Sequence, residues 1–325
     1  MPAEMPNWVQ RFGYGEFIHL EHRNCNACMM KGDRQFRVVE ANCFDASVRL
    51  TEMEHTGVSV QVLSTIPVLF NYWAQPKDTY DTARFFNDHI AATAAAHPRR
   101  FIGLGTVPMQ DPEYAIREME RCVLELKFPG LEIGSNINGI NLSDPRFFPF
   151  YQRAEELGCA LFVHPWEMMG ETQMERYWLP WLVGMPAETS RAICSVIMGG
   201  ILEKFPALRW AFAHGGGSFP FTLGRIGHGF DVRPDLVAID NPVHPAQYLN
   251  RFWIDSLVHD ARALRYLIDV MGSNQICMGS DYPFPLGEHH PGKLIDDVVE
   301  DASIKEALLF SNALRWLNLN ASDYS

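Results

Sequence analysis

The chain has 325 residues, 47% of them hydrophobic, enough for two average domains or one α/β barrel. Its formal net charge is −12 and its Lys and Arg residues form no long run, which argues against nucleic acid and for a small-molecule partner. Seven Cys without regular spacing argue against a disulfide scaffold, Met1 to Trp8 carries no basic-then-apolar leader, and no stretch approaches the roughly 18 apolar residues of a bilayer span, so a cytoplasmic (cytosolic) protein with no membrane partner is expected.

Near the N-terminus, Phe17 to His22 and Gln35 to Val39 alternate weakly and read as a small ribbon. A helical pattern follows from Asp45 to Gly57. Seven short apolar runs bounded by Gly or Pro come next: Val58 to Thr65, Arg100 to Val107, Pro129 to Ser135, Ala160 to Pro165, Arg209 to His214, Phe252 to Leu257 and Gln275 to Ser280. Helical patterns separate them. In Pro112 to Leu126 the spacing of Ile116, Met119, Val123 and Leu126 marks one predicted face, and Asp144 to Gly158 and Ala261 to Met271 read similarly.

Repeated βα units whose strands are hydrophobic on both faces imply a parallel sheet, closed as a barrel or open and doubly wound. The open form lacks its usual sign here, because Gly215-Gly-Gly217 comes far down the chain and no G-x-G-x-x-G follows the first strand. The expected fold is therefore α/β, a TIM-like (β/α)8 barrel over residues 45–325, with residues 1–44 forming a loop and a small inserted ribbon subdomain. A barrel of this type has eight strands, and the first of them is expected to lie upstream of Met1.

Three of the runs end in a potential metal ligand or proton carrier. His164 follows Leu-Phe-Val and precedes Pro165, which cannot continue the strand's hydrogen bonding. His214 repeats the pattern, with three glycines that let the backbone turn tightly. Asp281 stands after Met-Gly-Ser and before Tyr-Pro-Phe. Two His and one Asp at the C-terminal ends of barrel strands suit a divalent metal such as Zn²⁺ with an activated water, and one His could instead hold or deprotonate that water. Other candidates are weaker. His19 and His22, three apart on an extended segment, point to opposite faces. Cys25-Asn-Ala-Cys28 has no partner pair, His289-His290 lies in a polar loop, and Trp178 and Trp181 suit packing or a subunit contact.

His164-Pro-Trp166, Ala213-His-Gly-Gly-Gly217 and Gly279-Ser-Asp-Tyr-Pro-Phe-Pro-Leu-Gly287 together resemble the motifs of the decarboxylase branch of the amidohydrolase superfamily. Arg11-Phe-Gly-Tyr-Gly15, Phe36-Arg-Val-Val39, Tyr72-Trp-Ala74, Pro98-Arg-Arg-Phe101, Tyr177 to Thr189 and Arg233-Pro-Asp-Leu236 narrow the resemblance to the 2-amino-3-carboxymuconate 6-semialdehyde decarboxylases. The resemblance implies a zinc-dependent, O₂-independent decarboxylation in tryptophan catabolism that limits quinolinate and NAD synthesis. It implies His164 and Asp281 as zinc ligands and His214 as the group that activates the bound water. It further implies Arg37 as a grip on a substrate carboxylate, Arg225 as a residue reaching the neighbouring site of a homodimer, and Trp181, Met168 and Phe284 as pocket lining. Arginine suits a dicarboxylate substrate, because its guanidinium donates two parallel hydrogen bonds to one carboxylate.

The sequence departs from that family at one place. The family's first strand carries an H-x-H pair, whose spacing of two puts both imidazoles on one face; no H-x-H occurs in these 325 residues. Two of the four implied protein ligands are therefore absent, so substoichiometric zinc and little turnover are expected of the chain as it stands. A start assigned too far downstream, a genuine short isoform that pairs with and modulates the full-length enzyme without catalysis, and a divergent active enzyme are the explanations, in that order. The competing activity is metal-dependent hydrolysis, which uses the same activated water.

Overall fold

All seven apolar runs read from the sequence form parallel strands. The computed structural model describes residues 1–23 and 26–324, which divide into two compact units, Met1–Phe128 with Asp323 and Tyr324, and Pro129–Ser322.

In the first unit, β1 (Ile18–Arg23), β2 (Asn26–Lys31) and β3 (Arg34–Glu40) make an antiparallel ribbon in that order. The ribbon was expected from its outer strands, and the middle one is an addition. Strand β2 pairs on both sides and buries Ala27, Cys28 and Met29 in succession, so it offers no period-two alternation to read. Strands β4 (Gln61–Leu63) and β5 (Phe101–Gly105) pair in parallel, with Val62 opposite Ile102, and the helix Pro76–Ala96 lies between them in sequence. The helix Pro112–Leu124 corrects the predicted face by one position. Its buried residues are Ala115, Glu118, Met119 and Cys122, while Ile116 and Val123 stay partly exposed. The reason is polar: Glu118 sits inside, accepting from Asn87 Nδ2 at 2.7 Å and pairing with Arg121 at 2.7 Å, an arrangement that hydrophobic periodicity does not register.

The second unit opens with β6 (Gly130–Gly134), followed by a short hairpin of β7 (Asn136–Ile137) and β8 (Ile140–Asn141). Strands β9 (Ala160–His164), β10 (Trp210–Phe212), β11 (Trp253–Asp255) and β12 (Ile276–Cys277) then join β6 in one parallel sheet, neighbours following chain order. Helices such as Phe148–Glu156, Met185–Met198, Phe219–Val232 and Ala261–Met271 alternate with these strands. The predicted helix over Asp144 to Gly158 begins later, at Phe148, because Pro145–Phe147 form a tighter turn capped by Asp144. Ala261–Met271 begins where expected, its first amides accepted by Asp260. Trp210, Tyr151, Phe212 and Phe252 are fully buried, with Tyr151 edge-on to Trp210 at 5.2 Å and Phe212 edge-on to Phe252 at 5.4 Å.

This alternation of buried parallel strands with helices is that of a TIM-like (β/α) barrel. The consequence for function is positional: in unit two His164 ends β9, and His214 and Asp281 lie in the turns that follow the C-terminal ends of β10 and β12. Among the described residues no helix is long and apolar enough to cross a membrane. The six described cysteines are free thiols, and Cys25, half of the C-x-x-C, lies outside the described residues.

Candidate active site

His164 is the last residue of β9. Its Nδ1 stands 3.0 Å from the Pro165 carbonyl oxygen, which can only accept, so Nδ1 carries the proton and Nε2 presents a lone pair. Burial, and then the neighbouring His214, lower its pKa to about 3, against which the Pro165 contact works only weakly. The ring is therefore neutral at physiological pH, the state in which imidazole binds metal.

His214 follows β10 in a left-handed conformation, φ +58°, continued by Gly215, Gly216 and Gly217 at φ +62°, +72° and +63°. The glycines are required by space as well as by conformation: a Cβ on Gly217 would lie 2.2 Å from the Pro186 oxygen. Asp281 also has a left-handed backbone, φ +48°, in a turn closed by hydrogen bonds from Phe284 N to the Asp281 oxygen (2.9 Å) and from Glu288 N to the Ser280 oxygen (2.8 Å). These turns bring one donor atom each from His164, His214 and Asp281 within 4.8 Å of one another, and the two imidazoles meet edge-on at 4.9 Å between centroids. A neutral imidazole, a second imidazole and a carboxylate at this separation fit a divalent metal such as Zn²⁺ or Mn²⁺.

One residue of this arrangement escaped the sequence reading. Asp255, the last residue of β11, accepts hydrogen bonds from His214 N (2.8 Å, to Oδ2), Gly215 N (2.8 Å, to Oδ1) and Leu257 N (3.0 Å, to Oδ1). Its side chain also fills the space beside Gly279, where a Cβ would fall 2.6 Å from the Asp255 Cβ. Thus one carboxylate braces the turn of His214 and packs against the approach to Asp281. The signal was available, since Trp-Ile-Asp is another apolar run ending in an acid.

The other candidates are placed as follows. Met168 is buried against Gly184, whose Cβ would lie 3.1 Å from its own. Trp181 is half-buried in the helical turn Pro180–Gly184, 5.9 Å from the ring of Trp178. Phe284 is half-buried and tied to Asp281 through the turn described above. Arg225 is exposed on the helix Phe219–Val232, and Arg37 is half-buried on β3 of the first unit. Of the set-aside histidines, His289 and His290 are exposed, as expected, and His22 Nε2 lies 2.6 Å from the Ala3 oxygen.

The chain is similar to known proteins over most of its length. The amidohydrolase family profile matches residues 18–319. A protein of Dictyostelium discoideum named 2-amino-3-carboxymuconate-6-semialdehyde decarboxylase is 52% identical, over 100% of this chain and 91% of its own length. The crystal structure of 5-carboxyvanillate decarboxylase from Sphingomonas paucimobilis superposes with a TM-score of 0.80 at 29% identity, covering 90% of this chain and 89% of that one. The corresponding enzyme from Novosphingobium aromaticivorans, complexed with manganese and a nitrobenzoic acid, gives 0.77 at 27% identity, covering 84% and 80%. The chain belongs to the amidohydrolase family. Within that family it is a carboxy-lyase, a metal-dependent decarboxylase.

Proposed function

We propose that the substrate is 2-amino-3-carboxymuconate 6-semialdehyde, decarboxylated without O₂ to 2-aminomuconate 6-semialdehyde, and that the metal is Zn²⁺. In this reading the protein acts in the cytosol as a homodimer, in tryptophan catabolism, and limits flux to quinolinate and NAD. Residues 1–44 form the loop and inserted ribbon, and residues 45–325 the catalytic barrel. The observation that carries the reading is the convergence of His164, His214 and Asp281 within 4.8 Å, in a chain 52% identical to a relative of that name.

His164 and Asp281 would hold the metal, His164 offering the Nε2 lone pair that its Pro165 contact leaves free. A divalent metal bound there supplies positive charge that stabilises the electron density left on the substrate as CO₂ departs. His214 would take a proton from water at a ring nitrogen and pass it to the substrate carbon that carries the departing carboxylate, while the hydroxide so formed would add to the conjugated system and be expelled as CO₂ leaves. Arg37 grips a substrate carboxylate, Arg225 reaches the site of the neighbouring subunit, and Met168, Trp181 and Phe284 line the pocket. Hydrolysis, the competing chemistry, would leave both arginines without a task.

The direct test follows the loss of the conjugated semialdehyde's absorbance together with CO₂ release, using purified protein supplied with Zn²⁺ or Mn²⁺. Slow, metal-dependent release of equimolar CO₂ and aminomuconate semialdehyde is the expected result, slow because the H-x-H pair is absent from these 325 residues. Metal-dependent turnover of a carboxyvanillate or dihydroxybenzoate, with none of the aminocarboxymuconate semialdehyde, would refute the substrate assignment.

A further inference from the structure

The first turn of the helix Met185–Met198 contains a carboxylate with no place in the mechanism above. Glu188 is completely buried, a costly position for a charge unless it is paired and fully hydrogen-bonded. It is both. Oε1 accepts from Arg191 Nε (3.0 Å), Asn136 Nδ2 (3.0 Å) and Ser135 Oγ (3.2 Å), and a second Arg191 nitrogen closes the ion pair. Oε2 accepts from the backbone amide of Met169 at 3.1 Å.

These partners lead back to His164. Ser135 N donates to the His164 carbonyl oxygen at 3.0 Å, Asn136 Nδ2 donates to the Trp166 carbonyl oxygen at 3.0 Å, and Trp166 N donates to Ser135 Oγ at 3.3 Å. Glu188 thus fixes the segment Pro165 to Met169 from both sides, directly at Met169 and through Ser135 and Asn136 at Trp166. That segment contains the Pro165 carbonyl that sets the His164 tautomer, and Met168 as well. The same helical turn also holds the other imidazole's loop, where Ser218 N donates to the Pro186 oxygen at 3.1 Å and the Ser190 and Ser218 hydroxyls meet at 2.7 Å. One helical turn therefore brackets both histidines.

We propose that Glu188 is a positioning residue of the decarboxylase: through the Trp166–Met169 backbone it sets the place and tautomer of His164 and the place of Met168, with its helix as the bracket that spaces His164 from His214. An ion pair serving stability alone would need only Arg191. The Met169 amide, Ser135 and Asn136 all converge on the carboxylate, and their common target is the strand-end loop. This inference rests on the reading of His164 as a metal ligand.

The test uses the full chain and Mn²⁺ as the probe, with Glu188→Gln, Glu188→Ala/Arg191→Ala and His164→Ala compared with the unmodified protein. Glu188→Gln keeps the shape but turns an NH₂ toward at least one of the donors. The double variant removes the ion pair without leaving the arginine unpaired. Both are expected to weaken Mn²⁺ binding and lower kcat by roughly tenfold to a hundredfold, the usual cost of losing a partner that orients a metal ligand. Both are also expected to accelerate amide hydrogen exchange in the 165–170 segment, a change that loss of distant packing would not make. A folded Glu188 variant with unaltered Mn²⁺ affinity, kcat and exchange in that segment would overturn the proposal. The His164→Ala control separates the two readings: if it binds Mn²⁺ as tightly as the unmodified protein, the ligand assignment itself is wrong.

Discussion

Replacing Asp255 by Asn tests whether the strand-end carboxylate positions His214. Asp255 offers two acceptor oxygens to three backbone amides, one from His214 on Oδ2 and two from Gly215 and Leu257 on Oδ1. Asn has one acceptor oxygen, so one side of the group must face a backbone N–H with its own NH₂. The cheaper orientation keeps Gly215 and Leu257 and sacrifices the bond to His214. A hydrogen bond to a charged acceptor contributes about 1.5–3 kcal/mol, and that is the destabilisation expected in urea unfolding. His214, held at φ +58°, loses its only backbone tether to this carboxylate, and a catalytic group displaced by about 1 Å costs on the order of a hundredfold in rate. The expected outcome is therefore a fall in kcat with Mn²⁺ affinity preserved, since the metal is assigned to His164 and Asp281. Steady-state decarboxylation, with Mn²⁺ binding measured by calorimetry, provides both readings. Asp255→Asn with unchanged stability and unchanged kcat would refute the reasoning. A fall in metal affinity equal to the fall in kcat would make His214 a ligand instead of a proton carrier.

Gly217→Ala is expected to destabilise the protein by about 2–5 kcal/mol, because φ +63° with ψ −133° is a glycine-only conformation and the new methyl would overlap the Pro186 oxygen; the urea midpoint measures it. In the metal-free protein, His164 contributes a pH dependence of definite sign. Its folded-state pKa is depressed from 6.5 to about 3, so across that interval the unfolded chain binds the proton and the folded one does not. The stability is fully present above pH 6.5 and is lost as the pH falls toward 3, and His164→Leu should flatten that part of the melting-temperature profile. Dialysis against a chelator should abolish decarboxylation, with recovery on adding Zn²⁺ or Mn²⁺; full turnover in protein shown metal-free by elemental analysis would contradict the assigned site.

The parallel strands were legible because each is a short apolar run with a turn residue at either end, and in strands such as β5, β6 and β9 apolar residues are buried on both faces. β2 was not, since a strand that buries three successive residues has no alternation. The helix face through Ile116 and Val123 was misread for a related reason: Glu118 counts as a solvated charge in any periodicity analysis, yet here it is neutralised and buried by Arg121 and Asn87. The same blindness hid Glu188. Buried ion pairs look like surface charges until the partners are seen in space. His164, His214 and Asp281 were legible as donors because each interrupts an apolar strand at its end. Asp255 has that same signature, but its role is to hold backbone amides, and no local pattern announces which amides will arrive from another strand.

The brace that Asp255 supplies is made by the protein itself, a task that small metalloproteins leave to the ion. In a zinc finger the ion gathers its own ligands and the chain folds around it. Here a carboxylate of the protein holds the turn of His214 and packs beside Gly279, two residues before Asp281, so the protein's own hydrogen bonds shape part of the site. A turn held by the protein should keep its place when one divalent metal replaces another, so exchange of Zn²⁺ for Mn²⁺ is expected to leave the amide of His214 equally protected from hydrogen exchange.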